Sequence, residues 1–366
     1  ASYYPLLRGR RVAVLANQTS VAELPGAPGA DASGRVHLVD LLHGEGFAVA
    51  AIFSPEHGFR GTADAGEQVA SSVDARTGIP IRSLYDGNAK RPSDEAMRSF
   101  DVLVVDMQDV GLRFYTYYIS MLRMMDACAD FGRLVVVLDR PNPLGGRARG
   151  PVLQPAYASG VGLLEVSQQH GMTVGELALF FNATFMERAG QEPLSDLHVV
   201  KAEGWRREMV GPDQADRWIP PSPNMPTPQT AVVYPGTGMV EATDWSEGRG
   251  TTRPFELIGA PYMDHRLAAA LNAKGLPGVE FREAYFVPTF SKNAGKVCGG
   301  VQVHIMDAEK VDALEVGTHL LVEARRIYDD FAWRGDGGRW IGLLTGSGRF
   351  QEQLESGASA EEIIAA

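Results

Sequence analysis

The chain has 366 residues, 45% of them hydrophobic and 22% charged, which is typical of a globular protein with room for two packed domains. Its formal net charge of −11 argues against a nucleic-acid partner, because binding to phosphates needs a basic surface. No apolar run in the sequence approaches the length of a membrane span. Two cysteines, Cys128 and Cys298, are too few for a disulfide scaffold or a zinc cluster. We interpret them as buried thiols, with a single bridge as the alternative.

Short apolar runs alternate with helical patterns in the N-terminal half. Four runs predict strands buried on both faces: 11–16, 48–54, 102–106 and 134–139. Two helical patterns and one further strand are predicted at 37–43, 117–131 and 197–201. Another helix begins at Thr173, where Glu176 completes a capping box. The alternation indicates an α/β fold with a parallel sheet and right-handed crossovers.

A proline-rich segment separates the two halves of the chain. Residues 218–228 read WIPPSPNMPTP, and prolines at this density exclude a helix or a central strand. We therefore predict an extended connector and place the domain boundary within it, giving domains at 1–222 and 223–366. Beyond the connector the sequence predicts two helices and two strands of a smaller α+β domain, at 264–273, 311–328, 279–282 and 301–306.

Polar side chains follow each of the first four predicted strands. In chain order they are Asn17, then Glu56 and His57, then Asp106, Gln108 and Asp109, and finally Asp139 and Arg140. Ligands of an open parallel sheet bind outside the carboxyl ends of its strands, so these groups are expected to converge on one rim. As a set they predict an active site in the N-terminal half, although any one of them could instead cap a helix or tie a loop.

Several familiar chemistries lack their sequence signature. The chain has no G-x-G-x-x-G after a strand, no G-x-x-x-x-G-K-[ST], no G-x-S-x-G elbow and no H-E-x-x-H or paired-cysteine motif. We therefore expect no dinucleotide cofactor and no metal. Asp106 and Asp109 could hold Mg²⁺, but carboxylates three residues apart more often bond to loop backbone. The remaining carboxylates, amides, aromatics and arginines suit a sugar, whose hydroxyls and ring faces they can bind.

Eight loop segments form a recognisable set that runs in order along nearly the whole chain. They are LANQTS (15–20), FSPEHGFRG (53–61), VVDMQDVGLRFYTY (104–117), LDRPNPLGG (138–146), HGMTVGELA (170–178), IPPSPNMPT (219–227), YPGTGMVEATDWSEGRGTTRPFELIGAP (234–261) and PTFSK (288–292). Together they resemble the exo-β-N-acetylmuramidase (NamZ-like) family. No segment decides this alone, but the set is highly specific. The departures, at 239–240 and 242–245, bear on fine specificity.

The resemblance implies a Rossmann-like catalytic domain, a smaller auxiliary domain and a substrate cleft between them. It implies a glycoside hydrolase that releases N-acetylmuramic acid from the non-reducing end of peptidoglycan fragments without a redox cofactor. The alternative is a non-catalytic cell-wall sugar-binding protein; a cell-wall esterase is disfavoured by the absent serine elbow. A chain that begins Ala-Ser-Tyr-Tyr is that of a mature secreted protein or of a shortened one. We expect a secreted or periplasmic location, with the cytoplasm as the alternative.

Glu56 is the first choice for the general acid. A glutamic acid in an enclosed site can keep the proton that the leaving glycosidic oxygen needs. A structural ion pair with Arg60 is the alternative role for Glu56. Asp106, Asp109 and Glu247 are candidates for nucleophile, base or the group that orients the acetamido group of the substrate. Retaining, inverting and substrate-assisted mechanisms all stay open at this point.

The lactyl ether of muramic acid carries a carboxylate, which an arginine fork would bind. Four arginines are candidates, Arg60, Arg113, Arg249 and Arg253, and we prefer the last two. Tyr115 or Tyr117 could stack on the sugar. The other predicted contacts are polar groups: Asn17, His57, Gln108, Asp109, Asp139, Asn142 and Asn224. Core packing, simple turns and a domain-interface ion pair are the structural alternatives for these residues.

Overall fold

The structure is a computed structural model that describes residues 1–60, 70–84, 91–187, 190, 192–211, 218–335 and 337–366. The described residues form the strands β1 (Arg11–Ala16), β2 (Val21–Glu23), β3 (Arg35–His37), β4 (Ala48–Ser54), β5 (Ser72–Val73), β6 (Pro80–Ser83), β7 (Val102–Asp106), β8 (Leu134–Leu138), β9 (Arg149–Val152), β10 (Ser167–Gln169), β11 (Leu197–Val200), β12 (Leu257–Ala260), β13 (Val279–Phe286) and β14 (Cys298–Ile305). They form the helices α1 (Tyr4–Leu7), α2 (Leu38–Gly44), α3 (Asp94–Arg98), α4 (Tyr117–Asp130), α5 (Val174–Thr184), α6 (Pro228–Thr237), α7 (Arg266–Asn272), α8 (Ala313–Ile327), α9 (Arg339–Thr345), α10 (Arg349–Glu355) and α11 (Ala360–Ala365).

A large sheet lies at the centre of the N-terminal part. Its seven strands, within the described ranges, have the order β11-β8-β7-β1-β4-β6-β5. Neighbouring strands pair in parallel, except that β5 at the edge is antiparallel to β6. Every residue of β7 is buried, as a strand covered on both faces requires. The predicted α/β fold with a parallel sheet is confirmed.

Alternate residues of the central strands belong to two separate apolar cores. In β1, Ala13 and Leu15 face the core that contains α4 and α5, whereas Val12 and Val14 face the core that contains α2. This period of two follows from the pleat of a strand. Because helices cover both faces, the carboxyl ends of the strands are left as an edge where loops can build a site.

The capping box predicted at Thr173 is present and ties α5 to the sheet. Thr173 Oγ1 accepts a hydrogen bond from the Glu176 amide at 3.2 Å, and Glu176 Oε2 accepts one from the Thr173 amide at 3.0 Å. The same Thr173 hydroxyl donates to Asp139 Oδ2, just beyond β8, at 2.8 Å. One residue therefore starts the helix and fixes the end of the neighbouring strand.

The C-terminal part contains a three-stranded antiparallel sheet in the order β12-β14-β13, against which α7 and α8 pack. Strand β14 begins three residues before the predicted start, at Cys298, because Gly299 and Gly300 are part of it. Glycine disfavours strand formation in sequence patterns, but here it permits close approach. A Cβ on Gly299 would lie 2.1 Å from the Met263 carbonyl oxygen.

The two parts of the chain share one continuous apolar core that runs from α4 through α6 to α8 and β14. Helices α6 and α8 cross at two glycines, where a Cβ on Gly236 would lie 1.7 Å from the Ala313 carbonyl oxygen. Residues 218–227 contain neither helix nor strand, as predicted for the connector. Its last predicted residue, Pro228, instead begins α6 behind the N-cap Thr227, because proline fits the first position of a helix. The domain boundary between residues 222 and 223 stays a prediction.

Both cysteines are free and buried, so the interpretation as two thiols is confirmed. Burial raises the pKa of the Cys128 thiol, which keeps it protonated and unreactive. None of the helices in the described ranges is long and apolar enough to cross a membrane.

Candidate active site

The ends of four strands meet at one edge of the sheet. Strands β8, β7, β1 and β4 are adjacent and parallel. The polar residues that follow them therefore lie along this edge in the order Asp139, Asp106, Asn17 and Glu56. Hydrogen bonds join the loops, since Thr19 Oγ1 accepts from the Gln108 amide at 2.9 Å and the Ser20 hydroxyl donates to the Asp106 carbonyl oxygen. We refer to this edge as the rim.

Glu56 follows β4 in a buried turn. Its Oε2 accepts a hydrogen bond from Thr116 Oγ1 at 2.6 Å, and only 9% of the residue is exposed. The next residue, His57, has a left-handed backbone with φ of 69°, which is rare outside glycine. Its ring lies 6.3 Å from the ring of Tyr117. Backbone strain beside a buried carboxyl group is typical of functional sites.

Two buried tyrosines stand at the start of α4. Tyr117 donates its hydroxyl hydrogen bond to the Pro221 carbonyl oxygen, and the rings of Tyr115 and Tyr117 lie 4.9 Å apart. Burial raises the pKa of both hydroxyls, and the Glu56 carboxylate adds to the rise at Tyr117. Both hydroxyl groups are therefore protonated near neutral pH. Their burial, 7% and 1% exposed, agrees with core packing, and stacking of either ring on a sugar stays a prediction.

Asp109 is a buried acid at the same helix start. Its Oδ1 accepts from the Gly111 amide at 2.8 Å and its Oδ2 from the Tyr118 amide at 3.3 Å. Burial nevertheless raises the pKa of Asp109 to about 7. Asp109 thus caps α4 and can carry a proton near neutral pH. The neighbouring Gln108 donates hydrogen bonds from its side-chain amide to two backbone carbonyl oxygens and so holds two loops together.

Asp106, at the end of β7, is engaged in an ion pair. Arg140 donates to its two oxygens, with Nε at 2.5 Å and Nη2 at 3.1 Å. This bidentate pair uses both carboxylate oxygens, which favours a charge-holding role for Asp106 over nucleophilic attack. The described part of the chain has no group of three or more His, Cys, Asp or Glu arranged to hold a metal ion.

A charged cluster lies in the C-terminal part, on the loop before β12. Glu247 is 3% exposed and pairs with Arg249 Nε at 3.1 Å and with Lys292 Nζ at 2.9 Å. Arg249 Nη2 also pairs with Glu241 at 2.8 Å, and these carboxylates raise the pKa of Arg249 against the effect of burial. Lys292 Nζ donates to the carbonyl oxygens of Val240 and Thr243 as well. Glu247 is therefore a buried anion held between two cations.

Tyr234 on α6 connects the rim with this cluster. Its pKa is raised first by burial, then by the carboxylates of Glu241, Glu56 and Glu247, while Arg249 lowers it. Charges from both parts of the chain therefore lie within electrostatic range of one hydroxyl group. Glu56 and Glu247, predicted from segments almost two hundred residues apart, thus both act on the pKa of Tyr234.

Arg113 and the other three candidate arginines lie in different surroundings. Arg113 is fully buried, and its Nη atoms donate to the carbonyl oxygens of three residues, Pro151, Val166 and Leu344. Burial lowers its pKa to about 10. Arg60 pairs with Asp74 at 2.7 Å and Arg253 with Glu256 at 3.2 Å. Arg249 is thus the candidate that the structure places in the charged cluster.

Two of the predicted polar contacts, Asp139 and Asn142, hold loops. Asp139 accepts from the Gly175 amide at 2.7 Å and so anchors the start of α5. Asn142 accepts from the Leu144 amide at 2.8 Å and donates to the Met172 carbonyl oxygen at 2.9 Å. Asn224 is buried in the connector. For Asp139 and Asn142 these bonds agree with the structural alternative, and their contact with substrate stays a prediction.

Four residues of the site were not predicted as contacts: Thr116, Tyr234, Glu241 and Lys292. All four lie in the eight segments that carry the family resemblance, so that set contained the signal. Residue type and spacing could not rank them, because their partners are distant along the chain. Thr116 and Glu56, for example, are 60 positions apart.

Two of the cavities lie between residues of the N-terminal and C-terminal parts. One of about 420 Å³ is lined in part by Arg147, Arg149 and Arg207, and one of about 480 Å³ by Met239 and Phe350. Neither lining includes Glu56 or Glu247. We place the candidate active site at the rim because the buried, interacting acids lie there.

Comparison with known proteins identifies the family. Residues 12–229 match the N-terminal domain, and residues 232–366 the C-terminal domain, of the family described as exo-beta-N-acetylmuramidase NamZ. The chain belongs to this family. It is 43% identical over 366 residues to the peptidoglycan beta-N-acetylmuramidase NamZ of Bacillus subtilis (strain 168), an alignment that covers 99% of this chain and 84% of that protein.

Two crystal structures of DUF1343 family proteins from Bacteroides fragilis share the fold. One has a TM-score of 0.85 at 34% identity and covers 99% of this chain and 91% of that chain. The other has a TM-score of 0.77 at 35% identity and covers 100% of this chain and 91% of that chain. The resemblance that the eight segments carry is confirmed, and with it the prediction that the protein is a glycosidase.

Proposed function

We propose that this protein releases N-acetylmuramic acid from the non-reducing end of peptidoglycan fragments, with Glu56 as the general acid. The observation that carries the proposal is the position of Glu56, a buried carboxyl group at the carboxyl end of β4 that accepts a hydrogen bond from Thr116. The similarity to the Bacillus subtilis muramidase over 99% of this chain supports the same reaction.

In the proposed mechanism Glu56 donates its proton to the glycosidic oxygen as the bond from that oxygen to the anomeric carbon breaks. The bonding electrons leave with the oxygen, and positive charge develops on the sugar ring. We assign the stabilisation of this charge to a second carboxylate, Glu247, which pairs with Arg249 and Lys292. Water completes the reaction: its hydroxyl adds to the anomeric carbon, and its remaining proton restores the acid form of Glu56.

Arg249 is the proposed partner of the lactyl carboxylate. A guanidinium carries five N–H groups in a planar fork. Glu241 and Glu247 contact two of the nitrogen atoms of Arg249, Nη2 and Nε, so its fork can take a further carboxylate. Arg249 would then bind the carboxylate of the lactyl group, which distinguishes N-acetylmuramic acid from N-acetylglucosamine.

The Glu56→Gln variant tests the proposal. Glutamine keeps the size and most hydrogen bonds of glutamate but cannot give up a proton. On a peptidoglycan-derived disaccharide, which has a poor leaving group, we expect a loss of roughly 10²–10⁴-fold in kcat. On an aryl β-N-acetylmuramide, whose leaving group needs little protonation, the loss should be much smaller. Chromatographic detection of free N-acetylmuramic acid and release of the aryl group measure the two rates.

Glu352→Gln, an exposed substitution of the same kind on α10, serves as the matched control and should leave both rates unchanged. Equal slowing of both substrates by Glu56→Gln would mean that Glu56 is not the acid. A wild-type protein that binds the disaccharide without releasing product would favour the alternative of a non-catalytic sugar-binding protein.

We further propose a secreted or periplasmic location, because the peptidoglycan wall lies outside the cytoplasmic membrane. Cell fractionation followed by immunoblotting tests this. Recovery of the protein with cytoplasmic markers alone would contradict it.

A further inference from the structure

We infer that Thr116 is a positioning residue for the reaction: its hydroxyl group fixes which oxygen of Glu56 carries the transferable proton. The inference rests on the proposed role of Glu56 as the acid. It follows from the hydrogen bonding of Thr116, which lies at the N-cap of α4 but bonds to Glu56.

Thr116 occupies the N-cap of α4 but does not cap the helix. A capping threonine has an extended backbone and accepts a hydrogen bond from an amide two or three residues on. Thr173 and Thr227 of this chain do so, with ψ of 168° and 158°. Thr116 has ψ of −6° and makes no side-chain capping bond. Its hydroxyl instead donates to Glu56 Oε2 at 2.6 Å.

Asp109 caps α4 in its place. Asp109 Oδ2 accepts from the amide of Tyr118, the second residue of the helix, at 3.3 Å. The Thr116 carbonyl oxygen accepts from the Ser120 amide at 3.1 Å, which fixes the backbone that carries the hydroxyl. Because Asp109 caps the helix, the Thr116 hydroxyl group can donate its hydrogen bond to Glu56.

The bond to Oε2 determines where the proton lies. In a protonated carboxyl group the carbonyl oxygen is the better acceptor, so a donor that points at Oε2 makes Oε2 the carbonyl oxygen and leaves the proton on Oε1. When Oε1 transfers this proton to the glycosidic oxygen, Glu56 becomes a carboxylate. A hydrogen bond to a charged acceptor is roughly twice as strong as a bond to a neutral one. The Thr116 bond therefore strengthens as the reaction proceeds and stabilises the transition state.

Thr116→Val, which keeps the shape but lacks the hydroxyl, is the test, and Thr116→Ser, which keeps the hydroxyl, is its control. With the disaccharide we expect Thr116→Val to lower kcat about 5- to 10-fold with little change in KM, from the difference between a charged and a neutral hydrogen bond. The loss should be smaller with the aryl muramide. The alkaline limb of the kcat/KM profile should move to higher pH, because the ionised acid loses a donor. Thr116→Ser should stay near the wild type in all three measurements.

The outcomes separate this inference from the proposed function. If Glu56→Gln loses activity as expected while Thr116→Val keeps the wild-type kcat and pH profile, the inference is overturned and the proposed function stands. Equal losses on both substrates without a shift of the alkaline limb would show a structural role only, which also overturns it. Full activity of Glu56→Gln removes the proposed acid and the inference with it. Thr116→Ala replaces Thr116→Val if the circular dichroism spectrum shows that the valine variant is not folded.

Discussion

Replacement of Asp109 by asparagine tests whether burial raises the pKa of this residue and so makes the stability of the protein depend on pH. Burial raises the pKa of Asp109 from the ordinary value of 3.8 to about 7 in the folded protein. Between these values the folded state keeps a proton that the unfolded state has lost, so stability is full below the lower pKa and falls as the pH rises to the higher one. Each pH unit in this window lowers the free energy of unfolding by about 1.4 kcal/mol. Through Asp109, the wild type should therefore lose about 3 kcal/mol of this free energy between pH 5 and pH 8.

Asp109→Asn removes this titration. Asparagine keeps an oxygen for the Gly111 amide but loses the acceptor for the Tyr118 amide, which costs about 1 kcal/mol at every pH. Urea unfolding at several pH values measures the free energy of unfolding of both proteins. We expect the difference between variant and wild type to move by about 3 kcal/mol in favour of the variant from pH 5 to pH 8.

Asp312→Asn is the matched control for this experiment. Asp312 also caps a helix, accepting from the Leu314 and Glu315 amides at 3.1 and 3.2 Å, but it is only partly buried. This variant measures the free energy of unfolding that is lost when a helix-capping aspartate, which also pairs with Arg149, is replaced. Parallel profiles for Asp109→Asn and the wild type would refute the reasoning. They would mean that the two amides and the start of α4 keep Asp109 ionised despite its burial.

Two further predictions concern stability and specificity. Thr173→Ala should lower the free energy of unfolding, measured with urea, by about 1–2 kcal/mol. Ser359→Ala in the capping box of α11 should cost less, because Thr173 also bonds to Asp139; equal costs would contradict a contribution from that bond. Arg249→Lys should raise KM for muramic-acid substrates more than it lowers kcat, since a point charge cannot replace the fork, and an unchanged KM in steady-state kinetics would exclude Arg249 as the lactyl contact.

Several features of the site follow from local sequence patterns. The apolar runs at β1, β4 and β7 have the bounds that the sequence predicts, because a strand buried on both faces requires an unbroken apolar segment. Since those strands are parallel and adjacent, the polar residues at their ends had to lie on one edge. Glu56 could therefore be predicted on the rim before any contact was known.

The sequence by itself determined the parallel sheet, the connector, the capping box at Thr173 and the residues from which a site could be built, because each of these depends on neighbours along the chain. Only the tertiary structure decided which partner each polar group contacts. It pairs Asp106 with Arg140, surrounds Arg113 with carbonyl oxygens and brings Lys292 to Glu247. These contacts join segments that lie far apart in the sequence. Their energies come from desolvation and packing in the folded protein, which no local spacing of residues records.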